Sequence, residues 1–305
     1  MSTYADVFAR KEMKYRLSPE QYRFLRAAVE ERLEPSEFGF SQVSSLYFDT
    51  PDFRLIERSL DKPLYKEKLR LRIYGAATDD AQAFIEIKKK FEGIVFKRRV
   101  SMTLAAAQAY LAGEPYEGAC AKAPLADPLA AEQSLSLRSI QIAAEIDFFR
   151  ERYGRLAPSM LVVCDRSAFA DPLGGELRIT FDADIAADSQ AKAIHRTDRL
   201  EPLTDPGEVI MEIKNAGPLP QWLVDDLSAA RAYPQPFSKY GTAYLSLLRE
   251  QPLHTQADAV VPAASFAGTR RGRNENDTAV RARHAGEEAL RGRHVRVNER
   301  KRTYA

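Results

Sequence analysis

The 305-residue chain predicts an α+β domain built on an eight-stranded antiparallel β-barrel with a basic lumen, flanked by helices. Three observations carry this. Charged and apolar residues alternate with period two in eight separate segments between residues 10 and 214, helical patterns are confined to the stretches between and after them, and the charged member of the alternation is mostly Arg or Lys. With 45% apolar and 29% charged residues the chain can bury a sizeable core and still keep a charged surface.

The elements follow in order. Residues 10–17 set Arg10, Glu12, Lys14 and Arg16 on one face against Met13, Tyr15 and Leu17. Ser18 caps a helix over 19–33, with Pro19 at the first helical position and Gln21 placed to close a capping box. Strands are expected over 44–49, 66–74, 84–90 and 95–103. The third segment aligns Lys66, Lys68, Arg70 and Arg72; the fourth aligns Glu86, Lys88 and Lys90; the fifth aligns Lys97, Arg99 and Ser101. Helical patterns over 103–113 and 136–151 precede three more strands, at 159–166, 177–182 and 209–214. These end in Arg166, carry Arg178, Thr180 and Asp182, and pair Glu212 with Lys214. Two last helices, 220–232 and 239–250, are expected to cover outer surface.

Charge divides the chain. Residues 251–305 hold 11 of its 45 basic and 6 of its 43 acidic residues, leaving +5 there and −3 on 1–250. The expectation is one folded domain over 1–250 and a basic, disordered tail over 251–305, whose Arg/Gly/Asn mixture lacks the apolar content to offset its ordering entropy. The overall balance of +2 does not point to nucleic acid. Two cysteines make no disulfide framework or metal spacing. No run is long and apolar enough to span a bilayer and no apolar leader is visible, so a cytoplasmic protein without a membrane span is expected.

A solvated sheet face usually mixes both charge signs with Ser, Thr and Gln, whereas these faces concentrate Arg and Lys. A closed barrel places such faces in a lumen, and eight strands can hold one small ligand. A lumen lined by Arg10, Lys14, Arg70, Arg72, Lys88, Lys97, Arg166, Arg178 and Lys214 requires a polyanion, because like charges at low dielectric repel. Arg forks bind phosphate bidentately and Lys adds point charge, so linked phosphoryl groups suit the site. Glu12, Glu86, Asp182 and Glu212 then either pair with these cations or hold a divalent cation bridging phosphate oxygens. Tyr47, Phe48, Tyr74 and Trp222 are read as packing, His195 as surface, and Cys164 as a small buried hydrophobe.

Eight segments in register carry a family resemblance: Lys11-Glu12-Met13-Lys14-Tyr15, Ser45-Leu46-Tyr47-Phe48-Asp49, residues 69–75, Glu86-Ile87-Lys88, residues 165–169, residues 177–182, Met211-Glu212-Ile213-Lys214 and Phe237-Ser238-Lys239-Tyr240-Gly241. From about residue 5 to 248 the chain resembles the VTC domain, a polyphosphate polymerase module within the triphosphate tunnel metalloenzymes. The resemblance implies an eight-stranded tunnel, ATP and inorganic polyphosphate as partners, and Mn²⁺ or Mg²⁺ as cofactor. By position, Lys14, Arg70, Arg72, Lys88, Lys97, Arg166 and Arg178 resemble the family's phosphate-binding set, and Glu212 its metal-binding glutamate. Ser238 and Lys239 resemble a phosphate-gripping pair, with Lys239 tied most closely to turnover. Lys14, Arg70, Arg72, Lys88, Lys97, Lys214 and Ser238 are thus expected to bind the nucleotide triphosphate, and Arg166, Arg178 and Lys239 to steady the transferred phosphoryl. A tunnel tripolyphosphatase or a non-catalytic polyphosphate-binding module would need the same basic lumen. Oligomeric state is open.

Overall fold

The structure is a computed structural model that describes residues 11–92 and 94–249. The expectations for Arg10 and for the tail at 251–305 lie outside these residues.

The strands are β1 (Lys11–Leu17), β2 (Glu34–Asp49), β3 (Tyr65–Tyr74), β4 (Gln82–Phe91), β5 (Ile94–Thr103), β6 (Ala157–Ala170), β7 (Arg178–Asp188), β8 (Glu201–Pro202) and β9 (Val209–Asn215). The eight long strands form one antiparallel sheet in the order β1-β9-β7-β6-β2-β3-β4-β5, with the two-residue β8 attached to β7. These are the eight strands expected; β2, β6 and β7 are longer than the alternation suggested. The expected barrel is a curled half-barrel, because β5 and β1 share no ladder among the described residues. The free edge of β1 is taken instead by the segment before Phe237: Tyr15 bridges Pro234, and the Gln235 N–H donates to the Lys14 carbonyl at 2.7 Å. Charged residues protect the other edge, where Lys97, Arg98 and Arg99 are exposed.

Alternation decides which side of the sheet each residue serves. On the convex side, Leu69, Leu71 and Ile73 of β3 join Ile85 and Ile87 of β4 and Val100 and Met102 of β5 in one apolar core. Helices α3 (Leu104–Leu111), α4 (Tyr116–Lys122) and α6 (Leu137–Tyr153) add Tyr110, Tyr116, Ile146 and Phe149 to it, and the short α5 (Pro128–Ser134) lies between α4 and α6 in the chain. A second convex core unites Tyr15 and Leu17, Ile179 and Phe181, and Met211 and Ile213. Beneath them lie Leu25 and Val29 of α1 (Pro19–Arg32) and Leu223 and Leu227 of α7 (Gln221–Ala229). The capping box at Ser18 is formed as expected.

The concave side holds the last helix. Helix α8 (Lys239–Tyr244), with α2 (Arg54–Leu60), packs Tyr240, Ala243, Tyr244 and Ile56 against Val43, Tyr47, Met160, Val162, Cys164, Ile185 and Ile210. The expectation that this helix covers outer surface is therefore corrected, whereas the one for α7 holds. The reason lies in β2 and β6, whose inward positions are apolar where those of β3 and β4 are cationic. A bulge in β7 aids the arrangement: the ladder with β6 shifts between Val163 and Asp165, and Asp184 adopts φ 47°. The extra residue keeps Asp182 and Ile185 on one face, so the strand changes from polar to apolar without leaving the cavity.

Candidate functional site

The concave face collects the charged members of the alternation. β1 contributes Glu12 and Lys14, β9 Glu212 and Lys214, β7 Asp182, β6 Arg166, β3 Lys68, Arg70 and Arg72, β4 Glu86 and Lys88, and β5 Lys97. Although β1 and β4 share no ladder, Lys88 Nζ lies 3.6 Å from Glu12 Oε2, so side chains bridge the gap that the backbones leave open.

Two buried carboxylates organise most of the cations. Glu86, 1% exposed, takes Arg70 at 2.6 Å and Lys97 at 2.5 Å. Burial alone would raise its pKa; Arg70, Arg72 and Lys97 outweigh that and hold it well below the carboxylate range. Asp182, fully buried, accepts a bidentate fork from Arg166 at 2.6 and 2.8 Å and also binds the Lys239 ammonium. Here too the cations overcome burial and keep the carboxyl ionised. Arg72 donates to Ser45 Oγ at 3.1 Å, and Lys14 Nζ donates to the Phe237 carbonyl at 3.0 Å.

Glu212 differs from these two. It sits 2.8 Å from Lys214, the Glu12 carboxyl lies within hydrogen-bonding reach of it, and its register places it opposite both Lys14 and Thr180. The Thr180 hydroxyl is buried and has no hydrogen-bond partner among the described residues. Burial pushes Glu212 up, while Lys214 and Lys14 hold it well below its ordinary range.

Other groups are poised nearer neutrality. Desolvation lowers the half-buried Lys68 to about 8 and, although its side chain is 41% exposed, Lys97 to about 8 as well. Tyr47 has a phenol within 3.3 Å of Arg70; burial raises its pKa, but Arg70, Arg72 and Lys68 bring it down to about 8. Its ring stacks on Tyr240 at 4.6 Å, and the Tyr240 hydroxyl donates to Asp49 Oδ2 at 2.8 Å. Asp49 caps the first backbone N–H groups of α2. A continuous contact chain thus runs from the Arg70 guanidinium to the start of a helix.

A half-cylinder of partly buried Arg and Lys, anchored on buried, ionised carboxylates, is therefore in place. The profile of the VTC domain matches residues 9–248. The chain belongs to the VTC domain family. Similar solved structures include a Vibrio parahaemolyticus protein described as a candidate adenylate cyclase, at 12% identity over 76% of this chain and 96% of that one, with TM-score 0.39. Another is a candidate adenylyl cyclase from Hippeastrum described as having a dominant triphosphatase activity, at 16% identity over 75% and 92%, with TM-score 0.41. No curated protein matches significantly.

Within this VTC domain, Lys14, Arg70, Arg72, Lys88, Lys97, Arg166, Lys214 and Glu212 share the concave face, and Lys239 joins them because α8 lies inside rather than on the outer surface. Arg178 stands at the start of β7, exposed and opposite Lys214, at one end of the cavity and apart from Arg166. Ser238 caps α8, accepting from the Gly241 N–H at 3.2 Å, and its hydroxyl also accepts from Lys68 Nζ at 3.1 Å. The cap and the cavity roles coincide in one residue.

Two participants were not singled out from the sequence. Lys68 continues the Arg70/Arg72 alternation and was legible there. Tyr47 was read as packing; it does pack, yet its hydroxyl faces Arg70, and only the β2–β3 register, which pairs Tyr47 with Arg70, reveals that. His195 is exposed and Cys164 is buried, as expected. Among the described residues no group of three His, Cys, Asp or Glu side chains forms a metal cluster, and no helix is long and apolar enough to cross a membrane.

Proposed function

We propose that this VTC domain is a metal-dependent polyphosphate polymerase that transfers the γ-phosphoryl group of ATP onto a growing polyphosphate chain. The observation that carries the reading is the convergence of Lys14, Arg70, Arg72, Arg166 and Lys239 from three strands and a helix on one concave surface, in a chain of this family.

Phosphoryl transfer asks for alignment and charge neutralisation more than for covalent chemistry. Lys14, Arg70, Arg72 and Lys88 hold the triphosphate. Arg166, Arg178 and Lys239 steady the transferred group and the incoming chain end, with Lys97, Lys214 and Ser238 completing the polar wall. The bond between the γ-phosphorus and the bridging oxygen breaks, ADP leaves with that oxygen, and a terminal oxygen of the chain forms the new bond. That oxygen is already ionised, so no general base is needed.

The residues fit a divalent cation. Mg²⁺ and ions like it commonly bind through one or two carboxylates with phosphate oxygens completing the shell. Glu212 and Glu12 supply such a pair, and the unpartnered Thr180 hydroxyl lies at the facing position. A bound Mn²⁺ or Mg²⁺ there would neutralise charge on the phosphate oxygens. Glu86 and Asp182 are committed to arginine and lysine partners, which leaves Glu212 and Glu12 for a metal and favours the polymerase over a tripolyphosphatase that must also activate water.

The test is incubation of the protein with γ-labelled ATP and Mn²⁺. Expected are ADP and a long labelled anionic polymer resistant to phosphatase. Orthophosphate as the sole labelled product would identify a hydrolase, and no turnover with retained polyphosphate binding would identify a binding module. Glu212→Gln and Lys239→Ala are each expected to abolish turnover with the fold intact.

A further inference from the structure

The row of inward cations on β3 does not end at Arg70. Lys68 and Lys66 project from the same face two and four residues earlier. The register sets Lys68 directly opposite Lys88 and Lys66 directly opposite Lys90, while Lys88 faces Lys97 in turn. Like charges placed directly across a ladder destabilise it, and three such pairings lie side by side here.

Among the described residues no carboxylate neutralises the outer part of this ladder. Glu86 is committed to Arg70 and Lys97, and Glu12 to Lys14 and Lys88. Among the described residues Lys66, Lys68 and Lys90 have no carboxylate within ion-pair distance; Lys66 Nζ donates to the Ser59 carbonyl at 3.3 Å and Lys68 Nζ to the Ser238 hydroxyl, both neutral. Burial, with Lys90 and Lys62 nearby, holds the Lys66 ammonium below its usual range. Lys66 is half-buried and Lys90 exposed, at the outer end of the row. From Arg72 to Lys66 the strand advances six residues, about 20 Å, which is more than a triphosphate spans.

We propose that Lys66, Lys68 and Lys90 form a track for the part of a linear polyphosphate chain that extends beyond the triphosphate subsite, so that the chain leaves the cavity past the Tyr65–Phe91 end of the β3–β4 pair. The track rests on the reading of the cavity as a condensed-phosphate site and adds to it a chain-length preference and a direction of exit.

The experiment compares wild type with a Lys66→Gln/Lys90→Gln double variant in calorimetric titrations with long-chain polyphosphate and with inorganic tripolyphosphate, at fixed ionic strength. The variant is expected to lose about ten-fold or more in affinity for the long chain, the loss of one or two charge-assisted contacts, while its tripolyphosphate affinity changes less than about two-fold. Its thermal midpoint is expected to equal or exceed that of wild type, since repulsion is removed. Lys66→Arg/Lys90→Arg is expected to restore long-chain binding. Long-chain affinity unchanged in the Gln variant, or lost equally for both ligands, overturns the track while leaving the triphosphate site standing. Wild-type protein that binds neither ligand overturns the site and the track together.

Discussion

Asp182 shows how single residues make this cavity possible. One fully buried carboxylate holds Arg166 by both oxygens and Lys239 as well, so two cations that would otherwise repel are fixed side by side. Removing one partner of a buried ion pair costs about 3–5 kcal/mol; Asp182→Asn is therefore expected to lose stability of that order in denaturant titrations of the ligand-free protein. Tripolyphosphate should return more stability to this variant than to wild type, because it meets two uncompensated cations. An unchanged unfolding midpoint would contradict the role assigned here. The pH response has a defined sign as well. Lys68, Lys97 and Tyr47 all titrate at about 8 in the folded chain, below their unfolded values, so the unfolded chain binds more protons just above that pH and ligand-free stability rises with pH there. Phosphate affinity moves the other way, since both lysines lose charge and Tyr47 gains a negative one. Titrations with tripolyphosphate at constant ionic strength should show affinity falling as pH rises through about 8; a flat profile would contradict the assignment.

Among the elements, α8 joins the two halves of the cavity. Its cap, Ser238, meets Lys68; Lys239 meets Asp182; and Tyr240 stacks on Tyr47 while donating to Asp49. Tyr240→Phe keeps the stacking but leaves Asp49, and Ser159 whose Oγ lies 2.9 Å from the Tyr240 hydroxyl, each short of a hydrogen bond, a cost of about 1–3 kcal/mol, and is expected to lower the thermal midpoint. A midpoint equal to wild type would show that α8 is held by apolar packing alone. The position of this helix is also where sequence reasoning failed. Alternation reports which residues of a strand share a face, and it placed Lys14, Arg70, Lys88 and Glu212 together from the sequence. It does not report which face a helix with apolar residues on several sides will seek. That choice depended on the apolar inward positions of β2 and β6, such as Val43, Tyr47, Val162 and Cys164. Helices α2, α4 and α5, of seven residues each, were too short for a period to emerge.

Across the described residues the chain forms an antiparallel sheet that turns its apolar side outward onto helices and its cationic side inward. Most of that was legible, because two cores on the convex side follow directly from the apolar members of each alternation. The seam was not: strand pattern carries no information on whether the first and last strands meet, and here the 232–238 segment claims the edge of β1 first. The consequence for function is a cavity walled by strands over most of its circumference and bridged by Glu12 and Lys88 across the remainder. The central claim is that condensed phosphate lies within that wall. The measurement that tests it most directly is a crystal structure of the protein with a non-hydrolysable ATP analogue and Mn²⁺. The account predicts the triphosphate on the concave face, in contact with Arg70, Arg72 and Lys14 and with the metal beside Glu212. A triphosphate bound on the convex surface, with Arg70 still held by Glu86 and Tyr47 and Arg166 by Asp182, would contradict it.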